Sequence, residues 1–201
     1  MIKLKNITKH FQSFSIQSLN YTFENKLYQL QGDNGSGKSV LLKIIAGLDR
    51  NIKGEVVNTK KKYPILFLTD TGIGLPYVTI NDNIKISAKI LGVDCPKNIT
   101  NFFSSKEQLR TAYHLASVGM QHKVGLSLLF SETDYGLIVL DEALNGIDSR
   151  SSELIVEQLN FLTTKHSCPI LFVSHYLDLP NATKINIKDF LEVNKWKRLI
   201  N

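Results

Sequence analysis

The sequence predicts an α/β protein in which a parallel β-sheet is covered by helices on both faces, with a strand-rich N-terminal part and a small helical lobe. The N-terminal stretches MIKLKNI and SFSIQSLNYTF alternate apolar with polar residues, as half-buried strands do. Towards the C-terminus the short apolar runs GLIVLD and PILFVSH alternate with a helical stretch, which is typical of a parallel sheet. Between these parts, residues 79–130 show mainly helical spacing, which predicts the lobe.

The elements follow in order along the chain. After two alternating strands, KLYQLQ predicts a short strand, a glycine-rich loop follows, and SVLLKIIAGL predicts a helix that ends at Gly47. We expect GEVVN and YPILFLT to form a hairpin, and TINDNIKISAKIL, SSKEQLRTAYHLA and VGLSLLF to form helices. The tail from Lys184 predicts one or two edge strands and an amphipathic end. The whole chain, 1–201, is then one domain, with a core and β subdomain in 1–78 and 131–201 and the helical lobe in 79–130.

Composition and charge exclude several classes of protein. The chain has 201 residues, 43% hydrophobic and 21% charged, and no apolar run of the ~20 residues that a membrane span needs. Its start has no apolar signal region, and Cys95 and Cys168 form no CxxC pair, so a cytosolic protein without a disulfide is expected. The net charge is +6, but the densest run, Lys60–Lys62, lacks aromatic neighbours. This favours a solvated hairpin tip over a nucleic-acid patch.

The stretch GDNGSGKS has the spacing of a phosphate-binding loop between a strand and a helix. Backbone N–H groups of such a loop and of the helix N-terminus bind anions. Lys38 supplies a positive charge for the β- and γ-phosphates, and the Ser39 hydroxyl is a suitable ligand for Mg²⁺. The sequence therefore predicts a nucleoside-triphosphate site formed by Gly32, Asp33, Asn34, Gly35, Ser36, Gly37, Lys38, Ser39 and Val40.

Acidic residues and a histidine follow two of the predicted parallel strands. Asp141 and Glu142 end the strand of GLIVLDEA, where α/β sheets present their ligands. Asp141 is placed to hold Mg²⁺ through water, and Glu142 to polarise the water that attacks the γ-phosphate. The alternative is a pair of helix-capping carboxylates. His175 follows PILFVSH and is expected to contact the γ-phosphate, although a surface or capping histidine is the alternative.

These residues resemble the nucleotide-binding subunit of ATP-binding cassette (ABC) transporters, whose pattern covers about residues 1–175 of this chain. The resemblance implies a P-loop NTPase with a RecA-like parallel core and an N-terminal antiparallel β subdomain. It makes Gly32–Ser39 the Walker A loop, Asp141 the end of Walker B, and Glu142 the catalytic base. It further implies that NGID, ending at Asp148, is the D-loop, that His175 is the switch histidine, and that Phe11 stacks on adenine. A core phenylalanine is the alternative for Phe11.

Two stretches compete for the family's signature motif, which touches the nucleotide of a facing subunit. FSSKEQLR resembles it in a serine and an arginine but has no glycine and lies far upstream of Walker B. ASVGMQHKV has Ser117, Gly119 and Lys123 in register and is favoured, with an ordinary helix start as the remaining alternative. The methionine after that glycine is similar to a variant of antibiotic and bacteriocin-type exporters.

The chain departs from the family pattern at two positions. Where the family has a glutamine after the strand ILFLT, this chain has Asp70 or Thr71, and an aspartate there would approach the Mg²⁺ already assigned to Ser39 and Asp141. The proline that usually follows the Walker B glutamate is Ala143, a milder change. The lobe and C-terminal part are also short for the family.

The resemblance implies an ATPase that uses MgATP, dimerises with a second copy or a paired ABC subunit, and drives a membrane-spanning permease. The protein would then be cytoplasmic and peripheral on the inner face of the cell membrane, serving an exporter of peptide or antibiotic, with no nucleic acid as partner. Alternatives are a non-transport ABC ATPase, a regulatory cassette with low hydrolysis, and a P-loop kinase or GTPase. A GTPase is disfavoured because NKWK lacks the aspartate of the base-reading NKxD.

Overall fold

Five parallel strands form the core sheet. The computed structural model of the chain describes residues 1–11, 14–97, 99–174 and 177–193. Residues 192 and 193 are described by their backbone only. The strands are β3 (Leu27–Gln31), β5 (Ile65–Thr69), β6 (Leu137–Asp141), β7 (Ile170–Val173) and β8 (Thr183–Asn186). Their spatial order is β5-β6-β7-β3-β8, so only β7 separates β3, which ends in Gln31, from β6, which ends in Asp141.

The central strands are apolar on both faces because both faces are covered. In β6, Leu137 and Val139 belong to a core cluster with helix α1 (Lys38–Ile45), whereas Ile138 and Leu140 belong to a second cluster with helix α5 (Ser149–Thr164). Successive side chains of a strand point to opposite faces, so a continuous apolar run suits a sheet between two helical layers. The predicted parallel core is therefore confirmed.

A second, antiparallel sheet packs beside the core in the order β4-β1-β2-β9, where β1 is Ile2–His10, β2 is Phe14–Phe23, β4 is Lys53–Asn58 and β9 is Glu192–Val193. The predicted hairpin of GEVVN and YPILFLT is wrong. β4 pairs with β1, with Val56 opposite Leu4, whereas β5 pairs parallel with β6 in the core sheet. The physical reason is burial: Leu66 and Leu68 pack against one core cluster and Phe67 against the other, a two-sided burial that a hairpin with β4 would not supply.

Residues 79–130, predicted to form the lobe, contain helices α2 (Ile80–Leu91), α3 (Lys106–Arg110) and α4 (Val118–Leu126). α2 begins where the Thr79 side chain accepts a hydrogen bond from the Asp82 N–H. The helix predicted for SSKEQLRTAYHLA is interrupted after Arg110, because Thr111 is extended and its carbonyl accepts from the Ile80 N–H at 2.9 Å. The hydrogen bond to the start of α2 therefore ends the helix at a place where the residue spacing predicts that it continues.

The C-terminal part supplies the predicted edge strands, β8 on the core sheet and β9 on the antiparallel sheet. A 3₁₀ turn, Ile187–Phe190, lies between them, and the predicted amphipathic end lies outside the described residues. The Lys60–Lys62 run forms the turn between the two sheets rather than a hairpin tip, and the Lys60 ammonium donates to the His166 carbonyl at 2.7 Å. In the part of the chain that the structure describes, no helix is long and apolar enough to cross a membrane.

Candidate nucleotide-binding site

The phosphate loop joins the end of β3 to the start of α1. Gly37 has a φ of 96°, and a Cβ there would lie 2.7 Å from the ring of Phe14. Gly32 has a φ of 152°, and a Cβ there would lie 2.5 Å from a methyl group of Ile187. Both positions need glycine, for conformation and for space. The start of α1 has no side-chain cap and no acidic residue in its first turn, which leaves its N–H groups available to an anion.

Lys38 is held inside the loop. Its ammonium donates to the carbonyls of Gly32 at 2.8 Å and Asp33 at 2.9 Å, and the residue is only 6% exposed. The nearby Ser36 hydroxyl is buried and has no hydrogen-bond partner in the described part of the chain. A buried positive charge and an unpartnered hydroxyl in one loop suit a phosphate group, which accepts several hydrogen bonds.

Asp141 is buried at the end of β6, next to Ser39. Burial raises the pKa of Asp141, a hydrogen bond from Ser39 and the charge of Lys43 lower it, and the carboxylates of Glu142 and Asp70 raise it, with a net increase. The carboxylates of Asp141, Glu142 and Asp70 are therefore close enough to repel one another, an environment that a bound cation would relieve.

The protein side chains alone would not complete such a metal site. Among the described residues, no group of three or more His, Cys, Asp or Glu side chains could hold a metal ion. Mg²⁺ is usually held by one or two carboxylates together with phosphates and water. The donor set at Ser39 and Asp141 fits an ion of this kind that arrives with a nucleotide.

Glu142 follows Asp141 in a left-handed conformation, with a φ of 59°. Its N–H donates to the Val173 carbonyl at 3.1 Å, so the end of β7 holds its backbone. The Asn145 amide donates to a Glu142 carboxylate oxygen at 3.2 Å. Sequence reasoning placed Asn145 in NGID but gave it no role, because nothing in the spacing showed that its side chain would contact Glu142.

Helix α4 lies against the loop that follows Glu142. Its N-cap is Ser117, whose hydroxyl accepts from the Met120 N–H at 3.3 Å, so a helix begins in this stretch, which both the signature motif and an ordinary helix start require. A Cβ on Gly119 would lie 2.8 Å from the Gly146 carbonyl. The 6%-exposed side chain of Lys123 pairs with Asp148 at 2.6 Å.

The favoured signature stretch therefore lies beside the acidic strand end. The competing stretch FSSKEQLR contains only the five-residue helix α3, which begins after Ser105. Partial burial raises the pKa of Asp148, but hydrogen bonds from Lys123 and Ser151 outweigh it and lower the pKa to about 2. The loop from Glu142 to Asp148 is thus tied to α4 by an ion pair as well as by close packing.

Phe11 lies next to the phosphate loop through a second aromatic residue. Its ring is 4.4 Å from that of Phe14, centroid to centroid, and the Lys9 ammonium is 5.6 Å from the Phe11 centroid. Phe14 in turn lies against Gly37. Stacking of Phe11 on adenine stays a prediction. Sequence reasoning missed Phe14, although an aromatic residue at the start of a strand near Phe11 was visible.

The remaining residues predicted for the site include Asp33, Asn34, Val40 and His175. Asn34 is exposed in the loop, and Val40 packs against the core behind it. Asp33 pairs with Lys188 at 2.9 Å, and this contact lowers the Asp33 pKa. His175 lies outside the described residues. Nothing in the sequence indicated that Ile187 and Lys188, far along the chain, would contact the loop.

A phosphate loop and an acidic strand end at one edge of a parallel sheet define a P-loop nucleoside-triphosphatase fold. The family model for ABC transporters matches residues 16–145, so the chain belongs to the ABC transporter family. It is 30% identical to the zinc import ATP-binding protein ZnuC of Acinetobacter baylyi, over 88% of this chain and 68% of that protein. It is 25% identical to the cytochrome c biogenesis ATP-binding export protein CcmA of Bartonella henselae, over 84% and 85%.

Solved structures show the same fold. A Pyrococcus furiosus protein described as an ABC transporter ATP-binding protein has a TM-score of 0.76 and 23% identity, covering 95% of this chain and 99% of that one. The ATP-binding cassette MJ0796, in a dimeric post-hydrolysis state with ADP and Pi, has a TM-score of 0.69 and 22% identity, covering 96% and 98%. Because relatives named for import and for export both match, the narrower similarity to antibiotic and bacteriocin exporters is not supported.

Proposed function

We propose that this chain is the ATP-hydrolysing subunit of an ABC transporter, acting as a dimer with a second copy or a paired ABC subunit and driving a membrane-spanning permease. One observation carries the proposal: the phosphate loop after β3 and the buried Asp141 at the end of β6 lie at the same edge of the core sheet with only β7 between them, and Glu142 follows Asp141. The arrangement supports a site in which the loop binds phosphate, Asp141 would bind the metal ion and Glu142 would act as the base.

Phosphate binding follows from the geometry of the loop. The uncapped N–H groups at the start of α1 face the position of an anion, and Lys38 adds a charge whose present partners are two loop carbonyls. On nucleotide binding, the ammonium exchanges a carbonyl for a β- or γ-phosphate oxygen, which is a stronger, charge-assisted hydrogen bond. Phe11 is proposed to stack on the adenine.

Ser39 and Asp141 would hold Mg²⁺, with Asp70 as a further oxygen donor beside them. An ion bound there would neutralise charge that develops on the β- and γ-phosphate oxygens. Ser39 lies in the first turn of α1 and Asp141 ends β6, so both oxygens lie at the same edge of the core sheet.

Glu142 is proposed as the general base. Its carboxylate takes a proton from a water whose oxygen forms a bond to the γ-phosphorus, while the bond from that phosphorus to the β,γ-bridging oxygen breaks and ADP leaves. Asn145 donates to the carboxylate and Val173 accepts from the backbone, so both ends of the residue are held. His175 is proposed as a γ-phosphate contact.

The second half of each site is proposed to come from the facing subunit, through Ser117, Gly119 and Asp148. Val118, the first residue of α4, is 64% exposed, so the start of this helix is accessible to another chain. The dimeric MJ0796 cassettes, which share this fold, support a dimer. We further propose that residues 79–130 form the lobe that faces the permease, and 1–78 with 131–201 the catalytic core.

The direction of transport is left to the permease in this proposal. The expectation of peptide or antibiotic export rested on Met120 alone. The curated relatives include a zinc import protein and a cytochrome c biogenesis export protein. The ATPase proposal uses only the features that this chain carries itself.

Glu142→Gln tests the proposal. It removes the base but keeps the side chain's size, so ATP should bind, the closed dimer should accumulate, and hydrolysis should nearly cease. Size-exclusion chromatography with light scattering at saturating MgATP measures the dimer, and phosphate release measures turnover. Glu132→Gln, on an exposed glutamate, is the control. A Glu142→Gln chain that stays monomeric and still hydrolyses ATP contradicts the proposal.

A further inference from the structure

Asn145 forms a side-chain hydrogen bond with the proposed base. The Asn145 N–H donates to the Glu142 carbonyl at 3.1 Å, which closes a tight turn, and the Asn145 amide donates to the Glu142 carboxylate at 3.2 Å. An ionised carboxylate only accepts hydrogen bonds, so the nitrogen of the amide must be the atom that faces it. The backbone N–H and the side-chain amide of Asn145 thus both donate to Glu142.

The other end of the Asn145 amide has no partner among the described residues. Its Oδ1 atom is buried and accepts no hydrogen bond from them. Leaving a buried acceptor unsatisfied is unfavourable, and a side chain free to choose its orientation would avoid it. The orientation of Asn145 is therefore determined by Glu142 and by the backbone around it, and not by its own hydrogen-bonding needs.

Helix α4 holds that backbone in place. The His122 Nδ1 atom lies 2.8 Å from the Asn145 carbonyl, and since a carbonyl only accepts, Nδ1 carries the proton. The close approach of Gly119 to Gly146 and the ion pair from Lys123 to Asp148 fix the loop on either side of this contact. A continuous set of contacts thus runs from α4 through Asn145 to Glu142.

We propose that Asn145 is a positioning residue for the Glu142 carboxylate, and that α4 sets its position through His122. The inference rests on the proposed function, in which Glu142 activates water. Without the amide donor the carboxylate gains rotamers in which it does not face the attacking water, so fewer bound nucleotides are in a reactive geometry. ATP binding does not use this contact and remains unchanged.

Asn145→Asp tests the inference in the full chain, because it keeps the shape of the side chain, removes the donor and adds a repelling charge. With MgATP as substrate, kcat should fall about tenfold or more while KM stays within about threefold, since the contact serves the chemical step. Asn101→Asp, on an exposed residue, adds the same charge as the control. Asn145→Ser, a smaller change in the same turn, is measured as well and should also lower kcat.

A double-mutant cycle separates positioning from a structural role. If Asn145 acts through Glu142, then Asn145→Asp should cause no further loss in single-turnover hydrolysis once Glu142→Gln is present. The inference is overturned if both Asn145 variants keep kcat within about twofold of the unsubstituted chain, or if the loss persists in full in the Glu142→Gln background. In either case an unsubstituted chain that hydrolyses ATP, and loses activity with Glu142→Gln, leaves the proposed function standing. An unsubstituted chain without ATPase activity would contradict both the proposed function and the inference about Asn145.

Discussion

Two helix N-termini, those of α1 and α4, are both proposed to bind phosphate, and they differ in whether a side chain caps them. α1 begins at a glycine with no side-chain cap, whereas the first turn of α4 is capped by the Ser117 hydroxyl. The N–H groups of α1 are therefore available to a ligand within this chain. Those of α4 are partly satisfied already, so a phosphate from a facing subunit must compete with the chain's own cap.

The basic residues of the two regions differ in the same way. Lys38 is buried inside the phosphate loop, with partners that a phosphate can replace. Lys123 of α4 is bound to Asp148 and to the Phe102 carbonyl within its own chain. The comparison suggests that α1 carries the charge for nucleotide binding, and that α4 supplies only a helix end and a hydroxyl.

Lys38→Ala should have the largest effect on this comparison. Removing one preorganised donor to developing negative charge typically lowers kcat by about 10²- to 10³-fold, and nucleotide binding should weaken too because the ground-state phosphates lose the same contact. Phosphate release and fluorescent-nucleotide titration measure the two effects. Lys97→Ala, which removes an exposed lysine, should leave both unchanged. A Lys38→Ala chain with normal turnover would show that the α1 region does not carry the nucleotide charge.

Ser117→Arg tests the α4 side. The arginine removes the cap and blocks the helix start, so hydrolysis that depends on the dimer should fall about tenfold or more, whereas ATP binding by the monomer stays intact. The matched control is Ser105→Arg, which makes the same change at the N-cap of α3 in the competing stretch. Equal losses from both variants, or a loss only from Ser105→Arg, would contradict the assignment of ASVGMQHKV.

Asp148→Asn probes the contact that holds α4 to the acidic strand end. Because the carboxylate is about half exposed, we expect a loss of about 1 kcal/mol in the free energy of unfolding. Urea unfolding of Asp148→Asn and of Glu132→Gln, the exposed control, measures this loss at neutral pH. A loss within the control's error would show that the ion pair does not stabilise the α4 region.

The same variant has a defined pH dependence. The Asp148 pKa is lowered to about 2, below that of an unfolded chain, so its contribution to stability is fully present above about pH 4. It is lost as the pH falls from about 4 towards 2. The difference in the free energy of unfolding between the unsubstituted chain and Asp148→Asn should therefore be smaller at pH 3 than at pH 7. A difference that grows on acidification would contradict the ion-pair account.

Asp70→Asn should have the smallest effect and tests the metal side of the α1 region. The change removes one negative charge from the set around Asp141, so the Mg²⁺ concentration for half-maximal ATPase activity should rise about threefold, less than the tenfold or more typical of direct partners of a metal ligand. Asp94→Asn, in the lobe, is the control. An unchanged Mg²⁺ requirement would remove Asp70 from the metal-binding set.

Local patterns predicted the regular elements well where one residue spacing governed them. The Thr79 and Ser117 helix starts follow from capping chemistry, and the glycines of the phosphate loop follow from their spacing. The pairing of β4 and β5 was predicted wrongly, because a hairpin and a connection between two sheets look alike over a short polar turn. The end of α3 was missed because the segment before α2 competes for its backbone.

The sequence by itself determined the phosphate loop, the acidic strand end, the parallel core and the family, since each depends on residue types at short spacings. Only the tertiary structure decided that Ile187 fills the space beneath Gly32, that Phe14 lies against Gly37, and that Asn145 donates to Glu142. Such contacts join segments whose separation along the chain leaves no periodic trace, so they become visible only when packing brings the segments together.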